Sequence, residues 1–266
     1  MKESSRLTPI ARVKKNFALG LLLLLISVSA VCTSGQSSSA LRTVLLVGSG
    51  PTYYHNMPIW LGKIAKSLGA PLDIRKAVLN GASFAIHISD KSDNGGLISI
   101  RKGGFDVVVL QDTPDDPLRH SDFFSSLARL ADEANKIHAQ VILFETYAYG
   151  KGADFYLPSE KWSGGSPTEM LSRIRSAYMQ ASEKLKVKIA PVGDAFDAAT
   201  RRNPEIDLYE HDKLSPSECG SYLTACVLAA TLTGKDPRSL TWLPDTGVTK
   251  KEAEALRLAA ASVTAR

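Results

Sequence analysis

Cysteine is scarce in this chain, with three among 266 residues, and a disulfide-built scaffold is excluded on that ground. Cys32 lies near the N-terminus. Cys219 and Cys226 stand seven positions apart on a predicted helix, about 10 Å along its axis. A disulfide needs Cα atoms within roughly 7 Å, so the two are expected to be core thiols. Histidine is scarce too, five in all, and no Cys/His pair has metal-ligand spacing. Neither a metal nor a cofactor is expected. Excess charge is absent once the N-terminus is set aside. The chain carries 32 Lys and Arg against 27 Asp and Glu. Residues 1–30 hold five of the bases (Lys2, Arg6, Arg12, Lys14, Lys15) and one acid (Glu3), which leaves 27 against 26. A balance near +1 gives no electrostatic case for a nucleic-acid partner. No internal repeat is present.

The one uniformly apolar run near the N-terminus, residues 17–26, holds five consecutive leucines. It is short of the about 20 residues that a membrane span needs. Arg12, Lys14 and Lys15 precede it, and Val28-Ser29-Ala30 offers a small-residue cleavage site. Residues 1–30 therefore read as a secretory signal peptide, with no membrane span expected once it is removed. The mature chain is expected to be exported, periplasmic or extracellular, and monomeric. Val31 fits poorly before a lipidated cysteine, so anchoring through Cys32 is the lesser expectation. Residues 31–41 are rich in Ser and Gly and read as a flexible tether. Residues 42–266 are enough for one well-cored domain.

Apolar runs alternate with helical periodicity through that domain. Residues 44–47 are continuous and β-branched at both ends, as in a strand buried on both faces. Further strands are predicted at 72–79, 105–110, 141–144 and 189–192. Helices are predicted at 57–68, 122–137, 168–185, 219–232 and 250–261, with Pro58 in a first turn where its missing N–H costs nothing. Alternating strands and helices predict a three-layer α/β/α sandwich around a parallel sheet, flavodoxin-like in class. Ligands of such sheets bind beyond the carboxyl ends of the strands. Residues 151–166, rich in Gly, Ser and aromatics, read as a mobile loop.

Several short blocks resemble the SGNH (GDSL-like) hydrolases, in order and at matching spacing over residues 42–238. They are Leu46-Val47-Gly48-Ser49-Gly50-Pro51-Thr52-Tyr53, running on to Asn56-Met57-Pro58, and then Asn80-Gly81-Ala82-Ser83-Phe84 with His87. Asp106-Val107-Val108-Val109-Leu110-Gln111, Ala190-Pro191-Val192-Gly193, Asp212-Lys213-Leu214-Ser215-Pro216-Ser217 and Gly220-Ser221-Tyr222-Leu223 complete the set. The resemblance implies a serine that attacks an ester carbonyl, a histidine base, and an aspartate three residues before the histidine. Here the nucleophile position is Gly50 and the base position is Ser215. Gly81 falls where a backbone N–H serves the oxyanion, Thr113 where an oxyanion amide is expected, and Asp212 where the orienting acid stands.

Gly50 has no group that can attack, and the Ser215 hydroxyl has no useful basicity near neutral pH. Ser49 is one position early, and neighbouring side chains of an extended segment point to opposite sides. Two readings of different class follow. In the first, the protein binds a small-molecule or glycan ligand in a non-catalytic pocket. That pocket comprises Ser49, Gly50, Gly81, Thr113, Asp212 and Ser215, with His55, Tyr53 and His87 as further candidates. In the second, it is a divergent ester hydrolase of carbohydrate-deacetylase type, with Ser49 served by His55 or His211. Tyr53, Tyr54, Trp60 and Trp162 are candidates for an aromatic sugar platform. Asp112, Asp115 and Asp116 read as a solvated acidic loop stiffened by Pro114 and Pro117.

Overall fold

A computed structural model describes residues 41–245 and 247–265. The proposed signal peptide, Cys32 and all of the tether but Leu41 lie outside the described residues. In chain order the elements are β1 (Arg42–Gly48), a one-turn helix α1 (Gly50–Tyr53), α2 (Met57–Ser67), β2 (Leu72–Val78), α3 (Phe84–Ser89), α4 (Gly96–Arg101) and β3 (Val107–Leu110). They continue with α5 (Asp116–Arg119), α6 (Phe123–Lys136), β4 (Gln140–Phe144), α7 (Pro167–Leu185), β5 (Lys188–Ala190), α8 (Val192–Arg202), α9 (Glu218–Thr233) and α10 (Lys250–Thr264).

All five strands are parallel, in the order β2-β1-β3-β4-β5. Val44 of β1 faces Ile74 on one side and Val107 on the other. The chain leaves β1 for β2 at one edge and returns to β3 on the opposite flank. The carboxyl ends of β1 and β3 thus form the switch point at which a doubly wound sheet opens a crevice.

The alternation of side chains along the strands builds two cores. Val44, Leu46, Val107, Val109, Ile142 and Phe144 pack under α2, α8, α9 and α10. Leu45, Val47, Val108, Leu110, Val141 and Leu143 pack under α3, α4, α6 and α7. Each fully buried aliphatic side chain contributes about 1.5–3 kcal/mol, which explains strands apolar on both faces. Helix α9 is buried all round between α2, α8 and α10. Its Thr224, Thr231 and Thr233 hydroxyls each donate to the carbonyl four residues back. Cys219 and Cys226 are both free and buried there, and burial pushes each thiol up to about 12. Among the described residues no helix is long and apolar enough to cross a membrane.

Two boundaries differ from the sequence reading. Asp106 does not join β3. Instead its carboxylate accepts the Thr43 N–H at 2.7 Å, and its own N–H donates to the Thr43 carbonyl at 2.9 Å, which pins the start of β1. The strand expected at 189–192 ends at Ala190, because Pro191 has no N–H for the ladder and its fixed φ suits the approach to a helix. Val192 therefore opens α8, a helix the periodicity did not reveal.

Candidate functional site

The site begins where β1 ends. Gly48 has no room for a side chain, because a Cβ would lie 2.5 Å from Gln111 Oε1 and also collide with Thr52 Oγ1. The reason is a buried amide. Gln111 follows β3 with no exposure to solvent. Its Oε1 accepts the Ser49 N–H at 2.8 Å and the Thr52 hydroxyl at 2.7 Å, and its Nε2 donates to Ser49 Oγ at 3.1 Å and to the Asp112 carbonyl. Gln111 thus ties the two strand ends of the switch point together. Ser49 is 1% exposed, and no histidine nitrogen hydrogen-bonds its hydroxyl.

The histidines named from the sequence are held elsewhere. His87 Nε2–H donates to the Gly48 carbonyl at 3.0 Å, and its Nδ1 accepts the Gly96 N–H at 3.1 Å. Both ring atoms are committed to backbone, and burial lowers its pKa against the opposing pull of the Gly48 carbonyl. His87 therefore fastens β1 to α3 and α4 from behind the cleft and does not line it. His55 and Asn56 both take left-handed backbone, with φ of 49° and 56°, a turn that few non-glycine residues adopt. His55 Nε2 lies 2.8 Å from Glu210 Oε1, in an ion-pair geometry. His211 is exposed.

The facing wall comes from the loop before α9, closed by a bridge between Tyr209 and Pro216. Asp212 Oδ1 accepts the N–H groups of Leu214 at 2.8 Å and Ser215 at 2.9 Å, and Oδ2 accepts the Ser215 hydroxyl at 2.7 Å. Partial burial raises the Asp212 carboxyl, but these three donors and the charge of Lys213 outweigh it and leave the pKa lowered. Ser215 is thus held on Asp212 by its hydroxyl as well as its N–H.

Between the walls lies a cleft of about 480 Å³. Ser49, Gly50, Gly81, Thr113 and Ser215 line it, while Tyr53, His55, His87 and Asp212 do not. Gly81 takes φ +65° in the turn after β2. The aromatic residues are dispersed. Tyr54 reaches the cleft, joined by Tyr147 and Tyr149. Tyr53 stacks on Tyr54 at 5.1 Å and donates to Asn80 Oδ1 at 2.9 Å. Trp60 packs on Trp242, and Trp162 on Phe155 with Arg119 over its ring. The latter contacts belong to a 151–166 segment that carries two short 3-10 turns.

The acidic loop is not solvated as its sequence suggested. Pro117 sits in the first turn of α5, which folds the acids inward. Asp112 is fully buried, accepts the N–H groups of Phe84 and Thr113, and hydrogen-bonds Asp116 on the cleft wall. Asp115 accepts from the Tyr149 hydroxyl at 3.1 Å and from Arg119 at 2.9 Å. His120 Nε2 stands 3.7 Å from Asp116. Burial, then the charge of Asp116, raises Asp112 well above the usual carboxylate range, and burial raises Asp116. Of the two carboxyls, Asp112 is the one whose ionisation the fold disfavours more strongly. Among the described residues no three metal-ligating side chains converge.

A carboxyl raised by folding holds its proton more tightly folded than unfolded. The stability it contributes is full at acid pH and declines as pH rises toward the raised value. Asp112→Asn keeps an oxygen for the two N–H groups and offers Asp116 a donor. It is expected to raise the Tm at pH 8 by about 2–6 °C and to leave it near wild type at pH 4. Thermal melts at the two pH values check this, and equal shifts at both contradict a raised Asp112 carboxyl.

No family model matches the chain, and no curated protein matches it in sequence. Solved structures do. A DUF4886 family protein from Bacteroides uniformis superposes with a TM-score of 0.70 over 84% of this chain and 94% of its own, at 18% identity. A Slackia heliotrinireducens structure described as an SGNH hydrolase matches at TM-score 0.61 and 29% identity, over 72% of this chain and 99% of its own. An acetyl xylan esterase, AlAXEase, matches at TM-score 0.53 and 14% identity, over 70% and 97%. The chain has the SGNH-hydrolase fold and stands in the SGNH/GDSL-like superfamily.

Proposed function

We propose that this is an exported, monomeric SGNH-fold protein whose cleft binds a carbohydrate or acylated-sugar ligand without serine hydrolysis. One observation carries the reading: Ser49, the serine beside Gly50, is buried and committed to Gln111, while Gly50 and Ser215 are the residues that the resemblance puts at the nucleophile and base positions. Acyl transfer needs a side-chain nucleophile and a base whose pKa lies near the working pH. Losing either of two triad members already removes most of the activity, so losing both leaves serine chemistry no starting point.

The cleft's lining suits a polyhydroxylated ligand. Tyr54, Asn80, Thr113, Asp116 and Ser215 give it a polar lining, and Tyr149 adds an aromatic residue to the wall. A few convergent polar groups in a concave site set orientation, and apolar faces supply contact area. The printed name of one structural neighbour, an acetyl xylan esterase, suggests the acylated-sugar class.

Calorimetric titration with an acetylated xylo-oligosaccharide, with released acetate assayed in the same sample, tests the proposal. Saturable heat with acetate at the buffer background is expected, and Tyr54→Ala should weaken binding by about tenfold. Acetate release above background would return the divergent esterase. No saturation up to about 10 mM would remove the carbohydrate ligand.

A further inference from the structure

A second cavity, of about 910 Å³, lies away from the cleft, along β5 and between α7, α8 and the ends of α9 and α10. Its wall includes Glu145, the residue after β4, which is 2% exposed. Glu145 Oε1 accepts the Asp194 N–H at 3.2 Å, and among the described residues its Oε2 has no hydrogen-bond partner. Glycine is required at position 193 for this approach. A Cβ there would lie 2.9 Å from Glu145 Oε1, 2.7 Å from Leu171 and 2.5 Å from the Thr146 carbonyl. The first turn of α8 is thus seated on the carboxyl.

The charges around it are unbalanced. Arg175 is paired with Asp194, and Arg201 with Asp197. Lys188 of β5 and Arg202 of α8 also line the cavity, and neither has an ion-pair or hydrogen-bond partner among the described residues. The lining from α9 and α10 adds hydroxyls, Thr231, Ser262 and Thr264, but no charge. Burial, reinforced by Asp194 and opposed by Arg175, pushes the Glu145 carboxyl up to about 8. At neutral pH it is therefore a hydrogen-bond donor among cations. A cationic ligand would meet Lys188 and Arg202 unopposed. An anion accepts from the acid O–H and draws on the two free cations, while Met179, Ile189 and Val263 offer contact to an apolar body.

We propose that this cavity binds a small organic anion, a carboxylate or phosphate group on an apolar or aromatic body, with Glu145, Lys188 and Arg202 as its head-group ligands. The site is independent of the cleft, and its use does not depend on what the cleft binds.

Titrations of the whole mature chain with benzoate, phenyl phosphate and neutral benzyl alcohol test it. Saturable binding of at least one anion at pH 6.5 is expected, with benzyl alcohol at least tenfold weaker. The tighter of the two anions identifies the head group. Lys188→Ala combined with Arg202→Ala, both exposed, should weaken anion binding by about tenfold. Wild type should lose affinity by about tenfold between pH 6.5 and 9.5 as Glu145 ionises, whereas Glu145→Gln should bind alike at both. Lys188 is common to both proteins, so the difference belongs to Glu145. Equal binding of benzyl alcohol, an unaffected double variant, no saturation by either anion, or the same pH profile in Glu145→Gln would each overturn the proposal.

Discussion

Gln111→Leu is expected to destabilise the protein by about 3–5 kcal/mol. Leucine has nearly the same volume but no polar atoms, so the change strips the switch point of its hydrogen bonds without opening a large cavity. The Ser49 N–H, the Ser49 hydroxyl and the Thr52 hydroxyl all lose their partner, and Ser49 and Thr52 are each 1% exposed. An orphaned buried polar group costs about 1–3 kcal/mol, and water has little access to restore the bonds. Urea unfolding reads the loss as a lower midpoint with an unchanged slope. Ser49→Ala is the control. It removes one hydroxyl, keeps the N–H bond to Gln111, and should cost no more than about 1 kcal/mol. A Gln111→Leu protein as stable as wild type would mean that another group holds the strand ends together.

Gly50→Ser combined with Ser215→His is expected to create esterase activity on p-nitrophenyl acetate, roughly 10²–10⁴-fold above wild type. Position 215 stands three residues after Asp212, whose Oδ2 already accepts a side-chain hydrogen bond from it at 2.7 Å. An imidazole there inherits an orienting acid. Position 50 begins α1 on the cleft wall, and a Cβ would lie 3.1 Å from the edge of the Tyr54 ring, which must yield slightly. Each single change should stay at background, because a nucleophile without a base and a base without a nucleophile achieve little. Unchanged near-UV circular dichroism establishes that the double variant is folded. A folded double variant with no gain would mean that the cleft lacks more than these two side chains.

The central strands were legible in sequence because β1, β3 and β4 are buried on both faces and so lose polar alternation. Residues 44–47 and 141–144 fall inside β1 and β4 for that reason. Helices α2, α6, α7, α9 and α10 are long enough to show their ends or their period. Helices α3 and α4 are six residues each, too short for periodicity, and α8 was hidden by reading Val192 as strand. At the site, motif spacing brought Ser49, Gly50, Gly81, Thr113 and Ser215 to one cleft. It could not give side-chain direction, so His87 and Tyr53 were placed there although their polar atoms turn to Gly48 and Asn80. Gln111 was visible as a polar residue closing an apolar strand, but its role depends on partners 59 and 62 positions away. The inward turn of Asp112 and Asp116 was unreadable for the same reason: burial of an acid is decided by what folds over it.

The proposed absence of serine chemistry is tested most directly by treating the protein with a fluorophosphonate probe and reading the intact mass and peptide map. No adduct is expected on folded wild type, with the Gly50→Ser and Ser215→His double variant labelled at position 50 as the positive control. A stoichiometric adduct on wild-type Ser49, abolished by Ser49→Ala, would contradict the binding-protein reading and establish a relocated nucleophile.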